Sequence, residues 1–192
     1  FGYSVALDEN TLVVGAHMED SFQATISTTT NADDNRGNSG AVYVYKRTGN
    51  IWAFEAFIKA SNNDTDDLFG SSVAIDGDTL VVGAVGEKSN QTTITNNDNS
   101  SPDNSLTNSG AVYVYKRSGS IWTQEAYIKS DNNSANRKFG NSVAIDSDTL
   151  AVGAYKAGSG EVYIYKREGT NWVQEAFIKP KYQLDSADEF GI

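Results

Sequence analysis

The chain has 192 residues, enough for a sizeable core, with 15 Lys and Arg against 25 Asp and Glu and a net charge of −10. A surface this acidic repels phosphate backbones and anionic headgroups, so no nucleic acid and no membrane surface is expected as a partner. There is no cysteine, which removes disulfide and thiolate chemistry, and no apolar run approaches the roughly 18 residues of a membrane span.

The first predicted element is a strand over residues 3–7, which enters a turn at Asp8-Glu9-Asn10. A second strand follows over 11–16, then a polar stretch over 17–40 rich in Asn, Ser, Thr and Asp. A third strand over 41–47 turns at Thr48-Gly49-Asn50 into a fourth over 52–59. The text then restarts. Phe69-Gly70-Ser71-Ser72-Val73-Ala74-Ile75-Asp76 restates Phe1-Gly2-Tyr3-Ser4-Val5-Ala6-Leu7-Asp8, and Phe139-Gly140-Asn141-Ser142-Val143-Ala144-Ile145-Asp146 restates it again. In the second copy the turn reads Asp76-Gly77-Asp78, an Asp-Gly hairpin signal that asks for positive φ at both central residues. The units span 1–68, 69–138 and 139–189, and 190–192 opens a fourth with Phe190-Gly191. The chain thus reads as a segment of a longer array, with any targeting signal outside it.

Both faces of these strands are apolar. Val42 and Val44 point one way, Tyr43 and Tyr45 the other, so the sheets are expected to be covered on both sides. Four short antiparallel strands per unit, repeated and stacked face to face, describe an all-β fold, a β-propeller of four-stranded blades. Three blades cannot close a ring, since propellers need about four to eight, and a lone segment would leave two apolar faces bare. Further blades or further copies of itself are therefore expected partners, and a lone monomer is not the expected working state.

The Phe-Gly opening and the Val-Val-Gly-Ala at the end of the second strand resemble the FG-GAP repeat. The resemblance covers essentially the whole chain, although the final Pro of the name is replaced each time by His17, Val85 or Tyr155. It implies the seven-bladed propeller of integrin α-subunit heads, or the related repeats of large secreted and surface proteins of bacteria. An extracellular or cell-surface setting, bacterial in origin, is therefore expected. The integrin-like hairpin that wraps Ca²⁺ is shortened here to Asp8-Glu9-Asn10, Asp76-Gly77-Asp78 and Asp146-Ser147-Asp148, too few oxygens for a six- to eight-ligand shell, so that metal site is not carried over.

The units differ mainly between their second and third strands, where 17–40 and 85–110 are long and 155–160 is short. Loops longer than about 12–15 residues are usually functional or disordered, and these occupy the same slot in successive units, hence the same face. Glu19, Asp20, Asp33 and Asp34 in the first loop, and Glu87, Asp98 and Asp103 in the second, are candidate Ca²⁺ ligands; the plainer reading is a solvated polar loop. Asp64, Asp66 and Asp67, echoed by Asp185, Asp188 and Glu189, form a further acidic cluster. The recurring Tyr and Trp residues read as packing between units, and Lys46, Arg47 and Glu55 as cross-strand ion pairs. His17, the only histidine, reads as an exposed loop residue with no nucleophile turn near it, so no catalytic residue is assigned. Asn63, Asn90, Asn99 and Asn132 fit the N-glycosylation pattern.

The expected function is non-catalytic: adhesion, or binding of a protein or glycan through the long loops. The alternatives are a structural repeat of a surface fibre or scaffold, and the propeller of a polysaccharide-acting enzyme.

Overall fold

A computed structural model describes residues 1–30, 33–155 and 160–181. Among them the chain is all-β, and no helix is long and apolar enough to cross a membrane. The opening of the fourth unit at 190–192 and the carboxylates Asp185, Asp188 and Glu189 lie outside the described residues.

Three antiparallel sheets follow one another along the chain. The first takes β1 (Ser4–Asp8), β2 (Thr11–Ala16), β3 (Ala41–Thr48) and β4 (Ile51–Ile58) in sequential order. The second takes β5 (Phe69–Asp76), β6 (Thr79–Ala84), β8 (Ala111–Ser118) and β9 (Ile121–Ile128), with the short β7 (Ile94–Thr95) on the outer edge of β9. The third takes β10 (Phe139–Asp146), β11 (Thr149–Ala154), β12 (Glu161–Glu168) and β13 (Asn171–Ile178). These are the sheets expected of propeller blades; the described residues do not close a ring.

Two local features depart from the expected pattern. The inner hairpins are two-residue loops at Glu9-Asn10, Gly77-Asp78 and Ser147-Asp148, with the preceding Asp still paired to its partner strand. Only the first loop residue takes positive φ, at 46°, 53° and 56°, so the Asp-Gly pair is not the centre of the turn. The outer hairpins contain a bulge. Val44 pairs with Ala56 and Tyr45 with Phe54, which leaves Glu55 as the extra residue; Glu125 and Glu175 repeat it. A bulge bends the strand and re-aims its side chain, so strict alternation fails where the glutamate stands.

The core lies between the sheets. Val42, Val44, Ala56 and Ile58 of the first sheet pack against Phe69, Leu80, Val82, Tyr113, Tyr115 and Trp122 of the second, all buried. Val112, Val114, Ala126 and Ile128 then pack against Phe139, Leu150, Val152, Tyr163, Tyr165 and Trp172 of the third. Within the second and third sheets the rings meet edge-on, Phe69 with Tyr113 and Phe139 with Tyr163, each with centroids 5.2 Å apart. Through Tyr113, Tyr115 and Trp122, and again Tyr163, Tyr165 and Trp172, the repeated aromatics do pack between units.

The glutamates of the first two bulges cross the junctions. Glu55 accepts from Arg117 Nη1 at 3.3 Å and Trp122 Nε1 at 2.9 Å; Glu125 accepts from Arg167 Nη2 at 2.8 Å and Trp172 Nε1 at 3.0 Å. The expected ion pair between neighbouring strands of one sheet is thus corrected: it joins one sheet to the next. Ser4 Oγ donates to the Gly70 carbonyl at 2.8 Å, and Ser72 Oγ to that of Gly140 at 2.7 Å. A side chain at Gly15 or Gly83 would collide with those same carbonyls. The two signatures of the repeat, Phe-Gly and Gly-Ala, are therefore the two sides of one backbone contact.

Candidate binding site

The loop over 17–40 and the loop over 85–110 start from buried ion pairs. Glu19 Oε2 accepts from Lys59 Nζ at 2.6 Å, and Glu87 Oε2 from Lys129 Nζ at 2.5 Å. Both lysine side chains are fully buried, and each donates a second bond at 2.7 Å, to Ser39 Oγ and Ser109 Oγ. Burial pushes both lysines below their ordinary value against the opposing pull of the glutamates. Around Glu87 the network is fuller. Tyr127 Oη donates to it at 2.8 Å and the Ser89 amide approaches both carboxylate oxygens at 3.1 Å. In the third unit the short loop brings no such glutamate, and Glu161 at the start of β12 takes over: it accepts from Lys179 Nζ at 3.2 Å, from Tyr163 Oη at 2.8 Å and from Arg137.

The other loop carboxylates hold backbone. Asp20 accepts from the Asn38 amide at 2.6 Å, and Asp33 from the Phe22 amide at 3.0 Å. Asp103 accepts from the Asn90 amide at 2.8 Å and Ser105 Oγ at 2.9 Å, and the amide bond above all holds its carboxyl below the ordinary value. Asp34 and Asp98 are exposed. Among the described residues no three His, Asp or Glu side chains come together as a metal-holding group. The seven candidates do not fit a Ca²⁺ shell as they stand: two are bound by lysines, three by amides, and the last two stand on separate loops. The hairpin aspartates are likewise engaged, Asp8 by the Gly77 amide at 2.7 Å and Asp76 by the Ser147 amide at 2.6 Å.

In the linker cluster Asp67 is buried and 3.3 Å from Lys88 Nζ; burial pushes its carboxyl up to about 7. Asp64 and Asp66 instead accept from Asn104 and Asn38. Asn63 is buried, donating to the Gln23 carbonyl at 2.6 Å and accepting from Arg36 at 2.8 Å, so this sequon is sequestered by the fold. His17 is half-buried rather than exposed, its ring centroid 3.7 Å from that of Tyr3.

The two long loops also meet. Ser27 bridges Phe57 on the outer edge of the first sheet, and β7 does the same on the second. Between them opens a cleft of about 410 Å³, with Thr25 and Ile26 from the first loop, Asn97 and Asp98 from the second, and Trp122 and Gln124 from β9. Gln124 Nε2 donates to the Asn97 carbonyl at 3.2 Å and to Ser100 Oγ at 3.0 Å, which fixes one wall. Beyond it, Asn96 brackets the backbone of Trp172, accepting from its amide at 2.6 Å. The third unit, with its loop confined to 155–160, cannot build the same wall. Sequence reasoning placed both loops on one face, and the cleft agrees; the open cleft between them had no signal beyond the matched excess length.

A family model described as the FG-GAP repeat matches residues 1–45, 52–115 and 122–165, well over half of the chain. The matched units are offset from the sheets: the second begins in β4 and ends in β8. No curated protein matches the chain.

Proposed function

The chain belongs to the FG-GAP repeat family, and from that premise we propose that it is a non-catalytic run of β-propeller blades, working outside the cell in adhesion or in binding a protein or glycan. The observation that carries this reading is the cleft of about 410 Å³ where the two long loops converge. Three near-identical units are otherwise symmetric, and a recognition site breaks symmetry in just this way. Mixed polar and apolar walls such as Asn97, Gln124 and Ile26 are the usual make-up of a ligand cleft. The catalytic alternative has less support: among the described residues lining the cleft Asp98 is the one carboxylate, with no second acid beside it to form a pair.

The test is loop exchange. Shortening 17–40 and 85–110 to the length of 155–160 should abolish binding to a panel of immobilised glycans and extracellular proteins while leaving the sheets folded. Binding that survives both deletions would refute the reading.

A further inference from the structure

The cleft between the two long loops is lined by residues that the matching positions of the other units do not share. Thr123 stands where the first and third units have Ala53 and Val173. Ser61 is matched by Asp131 and Lys181, so that position is uncharged where it borders the cleft and charged in the other two units. Ser61 Oγ donates to Gln124 Oε1 at 3.2 Å, which holds both side chains in place. Of Asp98 and Thr25 it is the backbone carbonyls that are engaged, by Ser61 Oγ at 3.4 Å and Gln23 Nε2 at 3.2 Å. Among the described residues the Asp98 carboxylate and the Thr25 hydroxyl are therefore left to a ligand. The one cation lining the cleft, Lys59, is already bound to Glu19.

We propose that this cleft takes a neutral saccharide of one or two rings, an assignment that rests on the reading above and narrows it. A volume of about 410 Å³ lies at the small end of ligand sites. Sugar hydroxyls both donate and accept, which suits a carboxylate that only accepts beside hydroxyls that do both. Ile26 and Trp122 add apolar surface for the C–H face of a ring. An anionic glycan meets the unneutralised Asp98 and a net charge of −10, and is repelled. A peptide is less well served. Ser27 exchanges both backbone bonds with Phe57, at 2.9 and 2.8 Å, and β7 pairs with Tyr127 and Ile128. Those pairings take up the main-chain groups that an added strand would need there. Both walls belong to described units, so the site does not depend on what lies beyond either end of the chain.

The experiment is retention of the 192-residue chain on immobilised neutral glycans built from glucose, galactose, mannose, xylose and N-acetylhexosamines. Polygalacturonate and heparin serve as anionic probes, and the best neutral disaccharide is then titrated by calorimetry. The variants are Thr123→Val, Asp98→Ala and their combination, all at exposed side chains, so the sheets stay folded. At least one neutral glycan should be retained and the anionic probes should not. Each single exchange should weaken binding about tenfold and the pair further, the loss of one hydrogen bond at a time. Failure to retain any neutral glycan overturns the assignment, as does retention that survives the double exchange. A protein or an anionic glycan held through the loops in place of a neutral one also overturns it, while leaving the wider reading intact. Binding that survives shortening of both loops defeats the two together.

Discussion

The carboxylate of Glu55 lies 2.9 Å from the indole Nε1 of Trp122, on the next sheet and 67 residues further along the chain. Glu55 and its other partner Arg117 are largely buried, with side-chain exposures of 11% and 6%. Charged hydrogen bonds of this kind contribute about 1.5–3 kcal/mol. Glu55→Ala should lower stability by roughly 2 kcal/mol. In a double-mutant cycle with Trp122→Phe the two losses should fall short of additivity; strict additivity in urea denaturation would mean that the pair is not coupled.

Lys129 is fully buried and bound by Glu87 and Ser109. Lys129→Met leaves Glu87 buried without its counterion and should cost about 3–5 kcal/mol. Adding Glu87→Gln should return a good part of that loss, because the buried charge is then gone. Chemical denaturation of the two variants beside the wild type would decide it; a double variant worse than the single would count against the pair.

The tyrosines separate cleanly. Tyr127 Oη is bound to Glu87, whereas Tyr115 Oη and Tyr165 Oη are buried and have no hydrogen-bond partner among the described residues. Tyr127→Phe should cost about 1–2 kcal/mol, while Tyr115→Phe and Tyr165→Phe should cost nothing or stabilise slightly. Thermal melts read this directly, and equal losses at all three positions would contradict it.

Gly83 and Gly119 make a matched test. A side chain at Gly83 meets the Gly140 carbonyl and Ser72 Oγ, while Gly119, at φ 65° in an outer hairpin, has open space around it. Gly119→Ala should cost only the strain of a left-handed residue, about 1 kcal/mol. Gly83→Ala must separate two sheets and should cost about 3 kcal/mol or more. Comparable melting temperatures for the two variants would contradict the backbone contact.

Asp67 gives the chain a pH slope. Its carboxyl is raised by burial from 3.8 to about 7, with Lys88 pulling it down and Glu87 pushing it further up. Between those values the folded state holds a proton that the unfolded chain releases. Stability should therefore fall as pH rises from about 4 to about 7 and level off above, by an amount on the order of 4 kcal/mol. Asp67→Asn should flatten the slope; an unchanged profile in that variant would assign it elsewhere.

The repeat, the strands to within a residue or so at most ends, and the packing role of Tyr113, Tyr163, Trp122 and Trp172 were all legible from the sequence, because apolar periodicity and recurrence are local signals. Partners were not. Recurrence says that a glutamate stands at 55, 125 and 175, but not that a bulge turns it toward an arginine 62 residues away. The partners of the loop acids were out of reach for a related reason. Glu19 and Glu87 looked free because their lysines lie 40 and 42 residues downstream, a distance at which nothing in the text links them. The relocation of that carboxylate to Glu161 is compensation for a missing loop, and only the fold reveals it.

The junctions have an evolutionary corollary. Because Ser4 with Gly70 and Ser72 with Gly140 make the same contact, a duplicated unit would arrive already fitted to the neighbour on either side, and a deleted one would leave no mismatched seam. The number of units is then a free variable of the gene, able to grow or shrink by recombination without a single compensating substitution, while the slot between second and third strands changes length on its own schedule.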